Sequence, residues 1–556
     1  MRMSTDQICL CSSASSVAKI GVMKFALITV VLLICSPVAT QAQSCLTQDD
    51  VRQMLSRIDS SPPATPNKKL KQELLKMSLK QQELLQQVIR QDQTKKSDQE
   101  KLHKLYEADT VRLCEILKTN GWPTTALVNE EGVFAAFQIL KNAGAFELQR
   151  DLLPVIVAAI KKDPFQKREF AGLYDRLRVS VGMKQLFGTQ AVSIGGFLVL
   201  YPVEDPANLD ARRAEYGLSP IDQYVKSLER TFARPLVKSR QLPPSQLSKQ
   251  LTDSVAKAID ATDLGAKDVD PGDVIKTETN LVNLNVSVFN TKLKMFVGSL
   301  TKEDFRVLDN NQEQTVTYFS STHVPFDLVL VVDLSGSTSE KRDLIKKSTL
   351  RFIEAARPDD RLAIVTFSDT NNVISPLTLD RTQLAANVKN MEGEGGSHVW
   401  DAVKFALDNV IGPKTLERRR AVVLMSDGVD GSLMGGTYGS TTSFADLVEQ
   451  IRQTDTLIVP IFLDTQTGPF EKLVYDNARR TLNLLASESG GSYYEAKKLS
   501  DLNGVYEQVI NDLGKVYSLG YKPANSTHDG SWRWVAVSIG NRPDLVAHTR
   551  PGYYSQ

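Results

Sequence analysis

Charge of one sign is the first thing this sequence lacks. Its 556 residues carry 66 Lys and Arg against 65 Asp and Glu, a formal net of +1. That balance gives no global pull toward nucleic acid or an anionic membrane and leaves only local patches to consider. Histidine is scarce, with five residues at 103, 323, 398, 528 and 548 and no cluster among them. No Gly-x-Ser-x-Gly elbow surrounds a serine, and Gly393-Glu-Gly395-Gly396 follows a helical stretch without the lysine and spacing of a phosphate loop. There is no internal repeat and no heptad run. What the chain has is length, too much for a single core, so about two to four domains are expected.

Long apolar runs are missing as well. Met23-Lys24, the apolar stretch Phe25 to Cys35, Ser36-Pro37 and small residues ending near Ala42 have the three-part layout of a secretory signal peptide over residues 1–42. Its apolar core is too short to span a bilayer as a stable helix. The expectation is a secreted or periplasmic protein that meets a membrane only during export, with an uncleaved N-terminal anchor as the alternative. Met1 and Met23 are both possible starts. Cleavage near Ala42 leaves two of the five cysteines, Cys45 and Cys114, in an oxidising compartment, and two is the number that makes one bridge. Lipidation of Cys45 is the weaker reading, because Ala42-Gln43-Ser44 is a poor lipobox.

Residues 46–230 read as helical: Leu70, Leu74, Met77, Leu84, Leu85 and Val88 recur at helical spacing between Lys and Gln. From 231 to 278 the composition turns to Pro, Ser, Lys and Asp with short apolar stretches, the mark of a linker. Residues 281–289 then alternate with period two, and Phe305 to Leu308, the turn Asp309-Asn310-Asn311 and Thr315 to Phe319 continue as a hairpin. Alternation returns at 516–521, 532–539 and 546–554. Neither flank, 279–322 or 516–556, has strands enough to bury a sheet face alone, so together they are expected to form one β-sandwich.

Between the flanks, residues 325–515 alternate strand and helix, which implies a mostly parallel sheet covered on both faces. The expected strands are 327–332, 361–367, 421–426, 456–463 and 492–496. The apolar run Phe326 to Val332 ends in Asp333-Leu-Ser335-Gly-Ser337. Gly395-Gly396-Ser397 opens an apparent helix, and Ala421 to Ser426 is a second buried strand that ends in Asp427-Gly428. Ligands of such sheets bind beyond the carboxyl ends of the strands.

On these residues the segment resembles the von Willebrand factor type A family, whose metal-ion-dependent adhesion site uses Asp-x-Ser-x-Ser, a Thr in a second loop and an Asp in a third. Asp333, Ser335, Ser337 and Asp427 match, and Ser397 stands where Thr is usual. The resemblance implies a doubly wound, Rossmann-like α/β domain inserted in the sandwich. It also implies a Mg²⁺ site, with Mn²⁺ or Ca²⁺ able to substitute, in which a cation held mainly by neutral oxygens keeps a position for a carboxylate of a partner protein. Leu300 to Phe305 and Arg550-Pro-Gly-Tyr-Tyr554 resemble a bacterial group of secreted proteins related to this family. Asn120-Gly-Trp-Pro-Thr124, Tyr174-Asp175-Arg176, Gly182 to Gln190 and Asp210 to Leu218 resemble a bacterial family of helical domains without assigned function, with Lys141-Asn142-Ala143 where that family often carries Gln-His-Ala.

The functional expectation is a non-enzymatic, metal-dependent adhesion-type protein that binds no nucleic acid. Two alternatives stand beside it: an envelope scaffold or assembly factor with a mainly structural metal site, and a hydrolase in the helical domain that would depend on Asp175 or Arg176. The polar residues of that domain read first as helix caps and a buried Asp-Arg pair. His398 reads as a rim or capping residue.

Overall fold

A computed structural model describes Cys45 to Ser555 apart from 61–64, 91–95, 233, 243, 244, 246, 263, 265–280, 322, 323, 337, 339–341, 413–417, 435–438, 465–471 and 497–500. The signal-like segment and Ser337 therefore lie outside the described residues. The chain divides into two compact units, one of residues through Ser227 with Lys238–Gly272, the other of Leu228–Val237 with Asp273–Gln556.

The first unit is helical. Its helices are α1 (Gln48–Ser60), α2 (Lys68–Arg90), α3 (Lys96–Asn120), α4 (Thr125–Asn142), α5 (Phe146–Lys162), α6 (Lys167–Ser180) and α7 (Leu209–Glu215), and α8 (Ile221–Phe232) leads out of it. A short antiparallel hairpin, β1 (Ala191–Ile194) with β2 (Phe197–Leu200), interrupts them. Leu70 and Leu74 on α2 are buried while Gln72 and Lys76 face outward, as the helical period requires. Helix α4 is apolar on most of its circumference and sits centrally, with Val133, Ala136, Phe137 and Leu140 wholly buried. Helix α3 ends because Gly121 turns left-handed (φ +75°) and its N–H returns to Leu117 O at 2.9 Å. The expected bridge is present: Cys45 and Cys114 are bonded across a sequence separation of 69, with their Cα atoms 6.2 Å apart.

Two expectations for this part of the chain need correction. Residues 231–278 are not all linker, since they hold the short strand β3 (Leu236–Lys238) and helix α9 (Lys249–Asp260). Ser248 caps α9 by accepting from Leu251 N–H, and Val255 and Ile259, four residues apart, bury themselves in the helical core. A single apolar stripe among Lys, Gln and Asp is enough for that and leaves the composition polar. The second correction concerns Asp175. It is wholly buried, but its partners are the N–H groups of Leu186 (2.6 Å), Phe187 (3.0 Å) and Thr189 (2.9 Å) and the Thr189 hydroxyl (2.8 Å), so it organises the 185–190 loop where an Asp-Arg pair was expected.

The second unit is a sandwich with an α/β domain set into it. Its strands and helices, in chain order, are β4 (Val282–Asn290), β5 (Met295–Phe296), β6 (Phe305–Asp309), β7 (Gln312–Gln314), β8 (Val316–Ser320), β9 (Phe326–Asp333), α10 (Arg342–Ala355), β10 (Arg361–Phe367), β11 (Asn371–Thr378), α11 (Arg381–Asn387), α12 (Val399–Phe405) and β12 (Arg419–Ser426). Then follow α13 (Phe444–Gln453), β13 (Leu457–Leu463), α14 (Lys472–Ser489), β14 (Tyr494–Ala496), α15 (Leu502–Leu513), β15 (Tyr517–Tyr521), β16 (Trp532–Ile539), β17 (Leu545–His548) and β18 (Gly552–Tyr554). The α/β sheet runs β11-β10-β9-β12-β13-β14, parallel except for β11. Every residue of the central strand β9 is buried, which is why it reads as an unbroken apolar run. Strand β11 was not expected; it pairs on one side only and carries Pro376, which an edge strand tolerates.

The flanks combine into two sheets, β17-β4-β15-β8 with β5 beside β4, and β18-β16-β6-β7. The expected hairpin closes one strand earlier than its alternation suggests. Asn310 and Asn311, both at positive φ, turn β6 into β7, and β8 then crosses to the other sheet. Asp309, buried between the sheets, accepts from Tyr521 Oη (3.0 Å) and Tyr553 Oη (2.7 Å), so one carboxylate ties strands of both.

Truncation after Leu513 removes β15 and β17, both ladder neighbours of β4, and β16, the partner of β6. A 279–513 fragment should therefore show one cooperative transition from the parallel sheet and none from its N-terminal strands. A second, separate transition in calorimetry would show that the sandwich does not need both flanks. Replacing Cys45 and Cys114 with serine should cost the helical unit about 4 kcal/mol on the chain-entropy argument, read as a lower urea midpoint; an unchanged midpoint would remove the bridge from the account of its stability.

Candidate functional site

The parallel register places the site. Met425 of β12 lies opposite Val332 of β9, so Asp333 and Ser426-Asp427 leave the sheet side by side at its carboxyl edge. The chain departs from β9 toward β10 and β11 on one side and reaches β12 on the other, so this edge is also the topological switch point of the sheet.

Asp333 is 0% exposed and Asp427 1%. The Ser335 hydroxyl donates to Asp333 Oδ1 at 2.5 Å, with its own N–H at 2.9 Å from the same oxygen, and the Ser426 hydroxyl donates to Oδ2 at 2.5 Å. Burial, and after it the neighbouring Asp427 carboxylate, push the Asp333 carboxyl well above the usual carboxylate range, against the pull of these hydroxyls. Val429 N–H holds Asp427 Oδ1 at 3.1 Å. Gly428 makes the turn at φ +68°, and a Cβ there would lie 2.8 Å from Leu482 Cδ1.

The loop bearing Ser397 is fastened on both sides. Gly336 N–H donates to Gly395 O (3.0 Å) and Gly431 N–H to Ser397 O (2.9 Å), while Gly396 N–H is held by Asp369 Oδ1. These bonds draw the second loop against the first and third. The Ser397 hydroxyl itself is buried and has no hydrogen-bond partner among the described residues. An unpaired buried hydroxyl is costly and invites a further group with which its oxygen can bond.

Four of the five expected site residues are thus described, on three loops tied to one another, and Ser337 lies outside the described residues. Three participants were missed. Ser426, Asp369 and Asp430 hold the site together without standing in the motif. Asp430 is fully buried and accepts from Trp400 N–H (3.3 Å), Ser432 N–H (2.9 Å), Ser440 N–H (3.1 Å) and the Ser440 hydroxyl (2.6 Å). The signal for it was a second acid in the same loop, three residues beyond Asp427.

The donor set fits a hard divalent cation: two carboxylates and two serine hydroxyls, all oxygen. Among the described residues no three or more His, Cys, Asp or Glu are grouped so as to hold a metal. A cation here would therefore lean on neutral hydroxyls and keep much of its charge. His398 stands at the N-cap of α12, its ring nitrogens 3.8 Å from Asp369 Oδ1 and 3.9 Å from Asp401 Oδ2. Ser397 Oγ has no hydrogen-bond partner among the described residues, so it is not paired with the His398 imidazole.

Residues 327–508 match the von Willebrand factor type A domain, and residues 68–236 match a family of unknown function (DUF6624). Similar solved structures include the vWF domain of the type V pili tip protein Mfa5 from Porphyromonas gingivalis, at 15% identity, 34% of this chain, 94% of that chain and a TM-score of 0.28. The conserved hypothetical protein BatB from Bacteroides thetaiotaomicron is similar at 11% identity, with 34% and 99% of the two chains covered and a TM-score of 0.26. A von Willebrand factor type A protein from Catenulispora acidiphila is similar at 14% identity over 46% and 63%, with a TM-score of 0.30. The α/β part of this chain is therefore a von Willebrand factor type A domain, and its helical part matches a family to which no function has been given.

Proposed function

We propose that this is an exported protein-binding protein whose type A domain engages a partner in a divalent-cation-dependent way. The observation that carries the reading is the Ser397 hydroxyl, buried and without a partner among the described residues, on a loop fastened to those that bear Asp333 and Asp427, whose charges oppose one another. Asp333, Ser335, Ser397 and Asp427 would hold the cation, Mg²⁺ by preference and Mn²⁺ or Ca²⁺ in its place, with Ser337 from the same motif. Bound there, the cation supplies a Lewis-acidic position for a carboxylate on the partner. The Cys45–Cys114 bridge supports an oxidising compartment. The saturated hydrogen bonding of Asp175 supports a structural role for that residue and weighs against a hydrolase built on it.

Mn²⁺ titration by calorimetry should show a single site in the full chain that disappears in Asp333→Ala and in Asp427→Ala while the type A unfolding transition remains. Unchanged affinity in both variants would overturn the assignment. Capture of a partner from an envelope extract should fall at least about tenfold with chelator, the loss expected when a charge-assisted contact of about 1.4 kcal/mol or more is removed. Complex formation indifferent to chelator would favour the scaffold reading.

The raised Asp333 carboxyl sets the sign of the pH effect. Without cation, the folded chain prefers the protonated acid more than the unfolded chain does, so the apo domain loses stability as pH rises from the ordinary carboxylate range through the raised value. Asp427→Asn removes the repelling charge. Urea unfolding in chelator should find the variant more stable than the parent by about 1 kcal/mol at pH 8 and no more stable at pH 4. A variant less stable at pH 8 would show that repulsion between the two acids is not what strains the apo site.

A further inference from the structure

The opposite edge of the same sheet carries the opposite charge. At the amino ends of β9 and β12, where the α/β domain meets the sandwich, Arg418, Arg419 and Arg420 line a cavity with Asn285, Asp455 and Ser518. Two of the three guanidiniums are ion-paired. Arg420 pairs with the Asp455 carboxylate, and Arg418 Nε reaches Asp327 Oδ1 at 2.6 Å. Asp327 is already engaged by Arg361, whose Nε lies 2.7 Å from the same oxygen. One carboxylate is thus shared by two cations.

Arg419 has no such partner among the described residues. It is 4% exposed. Its Nε donates to Ser518 Oγ (2.9 Å) and its Nη2 to Ser321 O (2.8 Å) and more weakly to Ser320 O (3.4 Å), while its Nη1 is buried with nothing to bond. Burial pushes this guanidinium down to about 10, still charged at neutral pH. A buried cation with neutral partners and one N–H unused is the costly state that buried charges ordinarily avoid by pairing. Ser518 Oγ accepts from Arg419, so its own proton can turn toward a second acceptor in the same space.

We propose that this cavity binds a small monovalent inorganic anion of the chloride class, held by Arg419 Nη1 and the Ser518 hydroxyl. A single charge suffices because the Arg418 and Arg420 guanidiniums are already paired. A water would satisfy the N–H but leave the charge. The anion would bridge β12 of the type A domain and β15 of the sandwich, so its effect falls on how firmly the two are joined and is independent of the cation site.

The test uses the full chain in sodium chloride, sodium bromide or sodium gluconate at equal ionic strength and saturating chelator. The unfolding temperature of the 273–556 unit should be higher by about 2 °C in chloride or bromide than in gluconate, the size expected of a weak native-state ligand. Arg419→Met should abolish the difference. Crystals soaked in bromide should give an anomalous peak beside Arg419. Equal temperatures in the three salts, a difference that survives in Arg419→Met, or a cavity holding water while bromide decorates the surface as an adventitious ion only, would each overturn the proposal. If the methionine variant does not fold, the bromide peak in the parent decides alone.

Discussion

Two acids forced together at one edge of a parallel sheet are the constraint around which the second unit is arranged. The ladder between β9 and β12 aligns their carboxyl ends; β9 ends in Asp333, and Asp427 follows directly on β12. Nothing in strand geometry relieves that repulsion. The surrounding chain answers with hydroxyls and amides: Ser335 and Ser426 on Asp333, Val429 N–H on Asp427, and loops stitched through Gly336, Gly395, Gly396 and Gly431. These neutral donors lower the cost of the carboxylates without cancelling their charge.

Strand β12, which runs into an acid, begins in bases. β12 opens with Arg419-Arg420 and closes with Ser426 before Asp427, and at about 3.3 Å per residue its ends stand roughly 23 Å apart. At the amino edge Arg418 and Arg361 converge on Asp327 of β9, and Arg419 reaches into the sandwich. One sheet thus presents an acidic edge to solvent loops and a basic edge to its own flanking strands. The polarity follows from where four or five charged residues sit on two strands, not from the net charge of the chain, which is nearly zero.

Much of this was legible in the sequence because it depends on local pattern. Buried parallel strands are continuous apolar runs, and Phe326 to Val332 and Ala421 to Ser426 announce both themselves and the acids that follow. The alternating flanks, each too poor in strands to stand alone, imply their union. Long-range partners were not legible. Nothing near Asp175 says that it will hold the amides of 186–189, and nothing near Arg419 says that its neighbours will be Ser518 and the carbonyls of Ser320 and Ser321. Helix α9 was hidden by its polarity and β11 by its proline and its exposed, one-sided pairing; in both cases tertiary contact supplies the stability that local composition does not advertise.

The insertion also fixes where the two ends of the type A domain lie. The chain enters the type A domain from β8 and leaves it through α15 into β15, and β8 and β15 are ladder neighbours, with Ser320 opposite Ser518. The two crossing points are therefore held side by side by the sandwich itself, so inserting the whole domain closes a short gap and adds little loop entropy to the sandwich. Arg419 clasps both crossings, bonding Ser518 on one strand and the carbonyls of Ser320 and Ser321 on the other. All of this lies at the amino edge of the sheet. The loops around Asp333, Ser397 and Asp427 rise from the carboxyl edge, the full strand length away, so the tether and the candidate site occupy opposite edges of one sheet.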